Sequence, residues 1–251
     1  MKDKSETVLC LDQIEAGVYR ELKKHGFRKS GRTLHRFVSG DISQVVNFQC
    51  GQSYREESHL MWVNLGIRVP ECCEKSFFPS EPLKKHYKEY ECNIRSRLGS
   101  IDGTAERCFD LSEGSGEALP EILRDLTEKV LPVFDLLSSR EAILAHRREY
   151  PSFDILFRHL ILLDEAMIYG HLGDLEKARE RFDTYYQEFR ATFLDEETNG
   201  RQVYLRKGQR LITGGQDITA EEDGWFTVYG GNRGHMEYLD RLAVKLGFRE
   251  K

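Results

Sequence analysis

Between residues 32 and 69, apolar and polar side chains alternate with a period of two in three runs, 32–38, 42–50 and 60–69. That period is the mark of β-strands. In the second run Ile42, Val46, Phe48 and Cys50 share one face, and Asn47 and Gln49 fall on the other. In the third, Met61, Val63, Leu65, Ile67 and Val69 face one way, and Trp62, Asn64, Gly66 and Arg68 the other. An antiparallel sheet covered on one side produces this contrast. Ser39-Gly40-Asp41 supplies a hairpin turn, and residues 51–59 a longer connection. Upstream, residues 11–24 change to helical spacing, with Leu11, Ile14, Val18 and Leu22 on one stripe. Asp12 is the cap candidate at its start, and Gly26 suits the left-handed position that ends it.

Downstream, residues 71–91 lose any period and read as a loop or lid with a short helical turn, and 106–111 reads as a fourth strand. From Leu119 the spacing becomes helical: Leu119, Ile122, Leu123, Leu126, Val130 and Leu131 form one stripe, with Pro120 tolerated in the first turn and Pro132 near the end. Further helices are predicted over 141–150, 153–171 and 175–193, with a polar linker over 195–200. Short β-prone runs follow at 203–205, 210–213 and 225–229, before a closing helix over 235–246. These elements predict an α+β fold: an antiparallel sheet with a packed N-terminal helix, followed by a mostly helical C-terminal module. The domain division is 1–138, 139–193 and 194–251.

Several short motifs carry a resemblance. Gly26-Phe27-Arg28-Lys29-Ser30-Gly31-Arg32, the Val45–Gln49 strand, Asn64-Leu65-Gly66-Ile67 and Cys92-Asn93-Ile94-Arg95-Ser96-Arg97-Leu98-Gly99 occur in order. Over roughly residues 10 to 135 the chain resembles the family called domain of unknown function 4304. The resemblance implies an α+β domain with an amino-terminal helix on an antiparallel sheet; it implies no established activity and supplies no catalytic residues. Separately, Ala166, Tyr169, Gly173, Ala178 and Phe182 fall at the spacing of a single tetratricopeptide repeat, with Glu165 and Tyr185 where other residues are usual. One repeat cannot bury its faces alone. A helical hairpin is expected there, serving either core packing or a peptide groove.

Composition narrows the function classes. At 251 residues, 39% hydrophobic and 31% charged, the chain suits a soluble globular protein with its own core. The net charge of −5, with both signs interspersed, argues against a nucleic-acid partner. No apolar run is long enough for a membrane span, and the first residues lack the apolar core of a signal peptide, so a cytoplasmic location is expected. Of the six cysteines, only Cys72, Cys73, Cys92 and Cys108 come near to clustering, and no Cys-x-x-Cys spacing occurs. Reduced thiols are expected, with no metal and no cofactor.

No catalytic constellation stands out. The candidate binding residues are Asn47, Gln49, Trp62, Asn64 and Arg68 on the polar face, with Arg36 from the basic neighbourhood of the first strand. Amides, an arginine and a tryptophan on one sheet face form a recognition surface if the face is open. If helices cover it, the amides satisfy buried backbone groups instead. The first reading is a non-catalytic binding protein with a protein partner, using this face or the helical module. The alternative is a small-molecule site or enzyme in a covered cleft, with His35 or His59 beside the amides. The run from Trp225 to Gly234 also goes strand, glycine loop, helix, the order that cradles phosphates, although the lysine and hydroxyl residue of a P-loop are absent.

Overall fold

The computed structural model describes residues 6–51, 59–75, 84–102, 107–112, 114, 116–153, 160–213 and 216–249. Most of the 51–59 connection, the middle of the expected lid and the start of the helix expected over 153–171 lie outside the described residues. The chain divides into two units, Met1–Ile161 and Leu162–Lys251.

In the first unit β1 (Arg28–Ser30), β2 (Thr33–Val38), β3 (Ile42–Cys50), β4 (Leu60–Arg68) and β5 (Ile94–Arg97) pair antiparallel in that order, and β6 (Phe109–Asp110) pairs with the start of β4. Ser39 and Gly40 both take positive φ, 45° and 85°, as a tight turn matched to the strand twist requires. Two expectations change. The strand foreseen over 106–111 shrinks to two residues, and β5, only four residues long, escapes a reading based on alternation.

Helix α1 (Glu6–Leu22) buries Leu11, Ile14, Val18 and Leu22 almost completely. It begins five residues before the expected start, so Asp12 lies inside it and does not cap it. A 3₁₀ turn, Lys23–His25, ends at Gly26 with φ 84°. Helices α2 (Ala118–Asp125) and α3 (Leu131–Leu136) are joined by a π-helical turn, Leu126–Val130, just before Pro132, whose missing amide and ring disturb the regular ladder. Helix α4 (Arg140–His146) opens on Ser139, whose Oγ accepts from the Ala142 amide at 3.2 Å.

The face of the sheet bearing Leu34, Val46, Val63, Leu65 and Ile67 is closed by these helices. Gln44 lies on it, fully buried, donating to the Phe134 carbonyl and accepting from Arg36 Nε at 2.7 Å. Phe27 stacks on Phe134 at 6.2 Å, and Phe134 meets Phe153 edge-on at 5.5 Å.

The second unit holds nearly all of α5 (Ile161–His171), then α6 (Leu175–Thr198), joined at Gly173 with φ 83°. Asp174 caps α6 by accepting from the Lys177 amide at 3.2 Å. Residues 195–198 extend α6 and are not a linker: acidic and threonine side chains are compatible with a helix, and the stop comes at Gly200, φ 70°. Two hairpin-like pairs follow. β7 (Arg201–Leu205) pairs with β10 (Gly224–Val228), and β8 (Arg210–Thr213) with β9 (Gln216–Thr219), a strand the sequence pattern did not reveal. Helix α7 (Arg233–Lys245) starts two residues earlier than expected. Among the described residues, no helix is long and apolar enough to cross a membrane.

Candidate functional site

Register alone orders the second face of the sheet into rows. Phe37, Ser43 and Arg68 stand abreast on β2, β3 and β4; then His35, Val45, Gly66 and Arg95; then Thr33, Asn47, Asn64 and Arg97; then Gln49 and Trp62. Five candidates read from the sequence, Asn47, Gln49, Trp62, Asn64 and Arg68, therefore share one face. Arg36 does not join them. It lies on the helix side, over the Phe27 ring at 4.9 Å and hydrogen-bonded to Gln44, Asp135 and the His25 carbonyl.

The rows differ in what covers them. Residues 84–92, including the 3₁₀ turn Glu89–Glu91, lie as a strap across the first two rows. Gly66 permits the approach: a Cβ there would meet Cys92 Sγ at 2.6 Å. Tyr87, 2% exposed, receives the Arg68 guanidinium on its ring at 3.9 Å and meets Phe37 at 6.1 Å. The strap holds its own shape: Tyr87 Oη accepts from the Lys84 amide at 2.9 Å, and Lys84 Nζ pairs with Glu91 at 2.8 Å. Glu89 pairs with Arg95, and Asn93 Oδ1 accepts from the Val69 amide at 2.7 Å. Ser43, Val45, His35 and Arg68 are buried as a result.

A charge clamp closes the same end. Arg140 donates both Nη groups to Asp41, in the β2–β3 turn, and Nε and Nη2 to Glu71, beyond β4, all at 2.8–2.9 Å. Hydrogen bonds from Glu71 and Asp41 raise the Arg140 pKa above its ordinary value.

The last two rows are more open. Asn64 is 4% exposed and donates to Gln49 Oε1 at 2.9 Å, while Gln49 itself is exposed and Asn47 and Trp62 are half-buried. Asn47 Nδ2 donates to the Arg32 carbonyl at 3.2 Å and Thr33 Oγ1 at 3.0 Å. The Arg97 guanidinium lies 5.8 Å from the Trp62 ring centre, within cation–π range. Trp62 Nε1 is buried without a hydrogen-bond partner among the described residues.

Titration follows burial. Desolvation, with the charges of His86 and Arg28, holds the His35 pKa below its usual value against a hydrogen bond to the Lys85 backbone. Burial pushes the Cys92 thiol well up, which makes it a poor nucleophile. His59, the other histidine considered, lies at the β4–β6 end, 3.6 Å from Asp110. The six cysteines are free thiols, and no group of three or more metal-ligating side chains occurs among the described residues. Ser43, His86 and Tyr87 escaped the sequence reading. Only Ser43 left a signal there, an even spacing from Asn47 and Gln49; the other two lie in the stretch without period.

In the second unit, the glycine loop before α7 borders a cavity of about 500 Å³ with Phe189, Phe193, Arg201, Thr213 and Arg233 among its walls. Asn232 serves as the helix cap, its Oδ1 and backbone carbonyl both accepting from the His235 amide at 3.0 Å. The amides a phosphate would use are thus largely occupied. Tyr204 and Trp225 form an exposed cross-strand pair, 48% and 69% accessible, with ring centres 5.4 Å apart.

No curated protein and no solved structure matches the chain. The model of a family described as Domain of unknown function (DUF4304) matches residues 18–136, the span from the later part of α1 through the six-stranded sheet to the end of α3.

Proposed function

We propose that the chain is a non-catalytic binding protein whose contact surface includes the open end of the sheet face, around Asn47, Gln49, Trp62 and Arg97. The observation that carries this reading is the indole of Trp62: half-buried, flanked by the Arg97 guanidinium, with Nε1 buried and unpartnered next to an exposed amide. Tryptophan and arginine side by side on a partly open surface are what protein-binding hot spots use. Asn64, buried, holds Gln49 in this surface by its hydrogen bond, whereas Arg68 lies under the strap at the other end of the face. A protein partner suits the net charge of −5 better than nucleic acid does. The six free thiols accord with a reducing, cytoplasmic setting. In the second unit, full burial of Ala166, Ala178 and Phe182 supports a packing role for the repeat-like hairpin in preference to a peptide groove.

The test is capture from the native host on the immobilised chain, with a Trp62→Ala, Gln49→Ala control, reading proteins and small molecules by mass spectrometry. A protein retained by the native chain and lost from the control supports the reading. Retention by both, or no specific protein, removes it.

A further inference from the structure

The strap covers a polar cluster that no hydrogen bond satisfies among the described residues. His35, Ser43 and Arg68 are 6%, 0% and 8% exposed, and His35 Nδ1, Ser43 Oγ and Arg68 Nη1 are buried with no hydrogen-bond partner. Ser43 stands directly opposite Arg68 on one side and Phe37 on the other. Directly opposed side chains on a sheet begin about 5 Å apart, and diagonal ones about 7–8 Å. Beside Ser43 the side chains form a chain of contacts: Arg68 on Tyr87 at 3.9 Å, Tyr87 to Phe37 at 6.1 Å, Phe37 to His35 at 6.3 Å, His35 to His86 at 5.7 Å. Three unfilled groups therefore lie in neighbouring positions under a common cover, with Ser43 between the other two.

A buried guanidinium demands a counter-charge. Glu91, whose carboxylate feels the Arg68 charge, is held by Lys84 Nζ at 2.8 Å and by the Lys88 amide at 2.7 Å. It makes no ion pair with Arg68; the contact that Arg68 does make is with an aromatic face, which leaves the guanidinium edge for an oxygen ligand. His35 refines the choice. With its other ring nitrogen engaged by the Lys85 backbone, the neutral imidazole offers Nδ1 as a lone pair. Two donors and one acceptor at neighbouring positions match an anion that carries its own hydroxyl.

We infer that the Arg68–Ser43–His35 cluster binds a small oxyanion bearing a proton, with free hydrogen phosphate as the fitting species. Arg68 and Ser43 donate to its oxygens, and His35 Nδ1 accepts its P–OH. Complete burial of Ser43 leaves no exit for an ester chain, which selects the free ion. The site occupies the first two rows of the face, outside the two open rows, and it stands whether or not a protein binds there.

The test uses the full chain in phosphate-free buffer at neutral pH and constant ionic strength, titrated with inorganic phosphate or with sulfate, by calorimetry and thermal melting. Phosphate at about 10 mM, enough to fill a millimolar site, should raise the melting temperature saturably. Sulfate, which carries no proton at this pH, should bind about tenfold or more weakly, and Arg68→Met should abolish the response. Should that variant fail to fold, Ser43→Ala, which removes one donor, should still weaken phosphate binding by roughly fivefold. No phosphate response in the native chain means that only buried water sits there and overturns the site. An equal response in either variant overturns it as well. Equal affinity for sulfate overturns the role given to His35.

Discussion

The two ends of one sheet face make an instructive pair. Both carry the same alternation of polar residues, and both descend from the same three strands. At one end Ser43, Val45 and Arg68 are sealed under the strap; at the other Gln49 is exposed and Trp62 and Asn47 are half-buried. The difference lies in Gly66, whose lack of a side chain admits Cys92, and in the clamp that ties Arg140 to the β2–β3 turn and to the chain beyond β4. Polar patterning therefore does not distinguish a buried network from a binding surface. What crosses the face does.

Breaking the clamp should have the largest effect. Arg140→Ala leaves Asp41 and Glu71 without their partner, and a loss of about 3 kcal/mol is expected, read from urea unfolding. A loss no greater than that of a surface change would mean that the clamp does not hold the covered end. Gly66→Val comes next. Its Cβ collides with Cys92, and unfolding free energy should fall by about 1–3 kcal/mol as the strap is displaced, with new amide exchange in residues 84–92.

A matched pair sharpens the boundary between the ends. Asn64→Ala, at a buried position, should cost about 1 kcal/mol, whereas Gln49→Glu, which keeps an acceptor for the Asn64 amide at an exposed position, should stay within about 0.5 kcal/mol. Equal costs would erase the distinction. The mildest effect is expected from pH. The His35 pKa is lowered in the fold, so below the unfolded value of about 6.5 the unfolded chain binds a proton that the folded chain refuses. Stability should decline as pH drops from about 7 through that value, and the decline should be smaller in His35→Gln. His86 and Arg28 face the same ring and add to the penalty. A slope unchanged in the variant would show that His35 does not set it.

Gly173 shows how a residue can be singled out for the wrong reason. Repeat spacing, where small residues let helices approach, picks it out, yet apart from its chain neighbours no described heavy atom lies within 4 Å of the position a Cβ would take. Its requirement is the backbone, at φ 83°, where side chains other than glycine are strained.

Period, turn chemistry and helix stops are local properties, and the sequence by itself determined what depends on them: β2 through β4, the Ser39–Gly40 turn, the stripes of α1 and of the α2–α3 run, and the fact that Asn47, Gln49, Trp62, Asn64 and Arg68 share a face. β5 and β9 were not legible, because four residues hold little alternation to set them apart, and β6 was foreseen as longer than it is. The placement of Arg36 on the helix side was in the register all along, two residues from Leu34. Tertiary structure alone decided which polar residues are buried. That outcome depends on a stretch without period, residues 84–92, meeting a glycine some twenty positions earlier, and no spacing within either segment encodes the encounter.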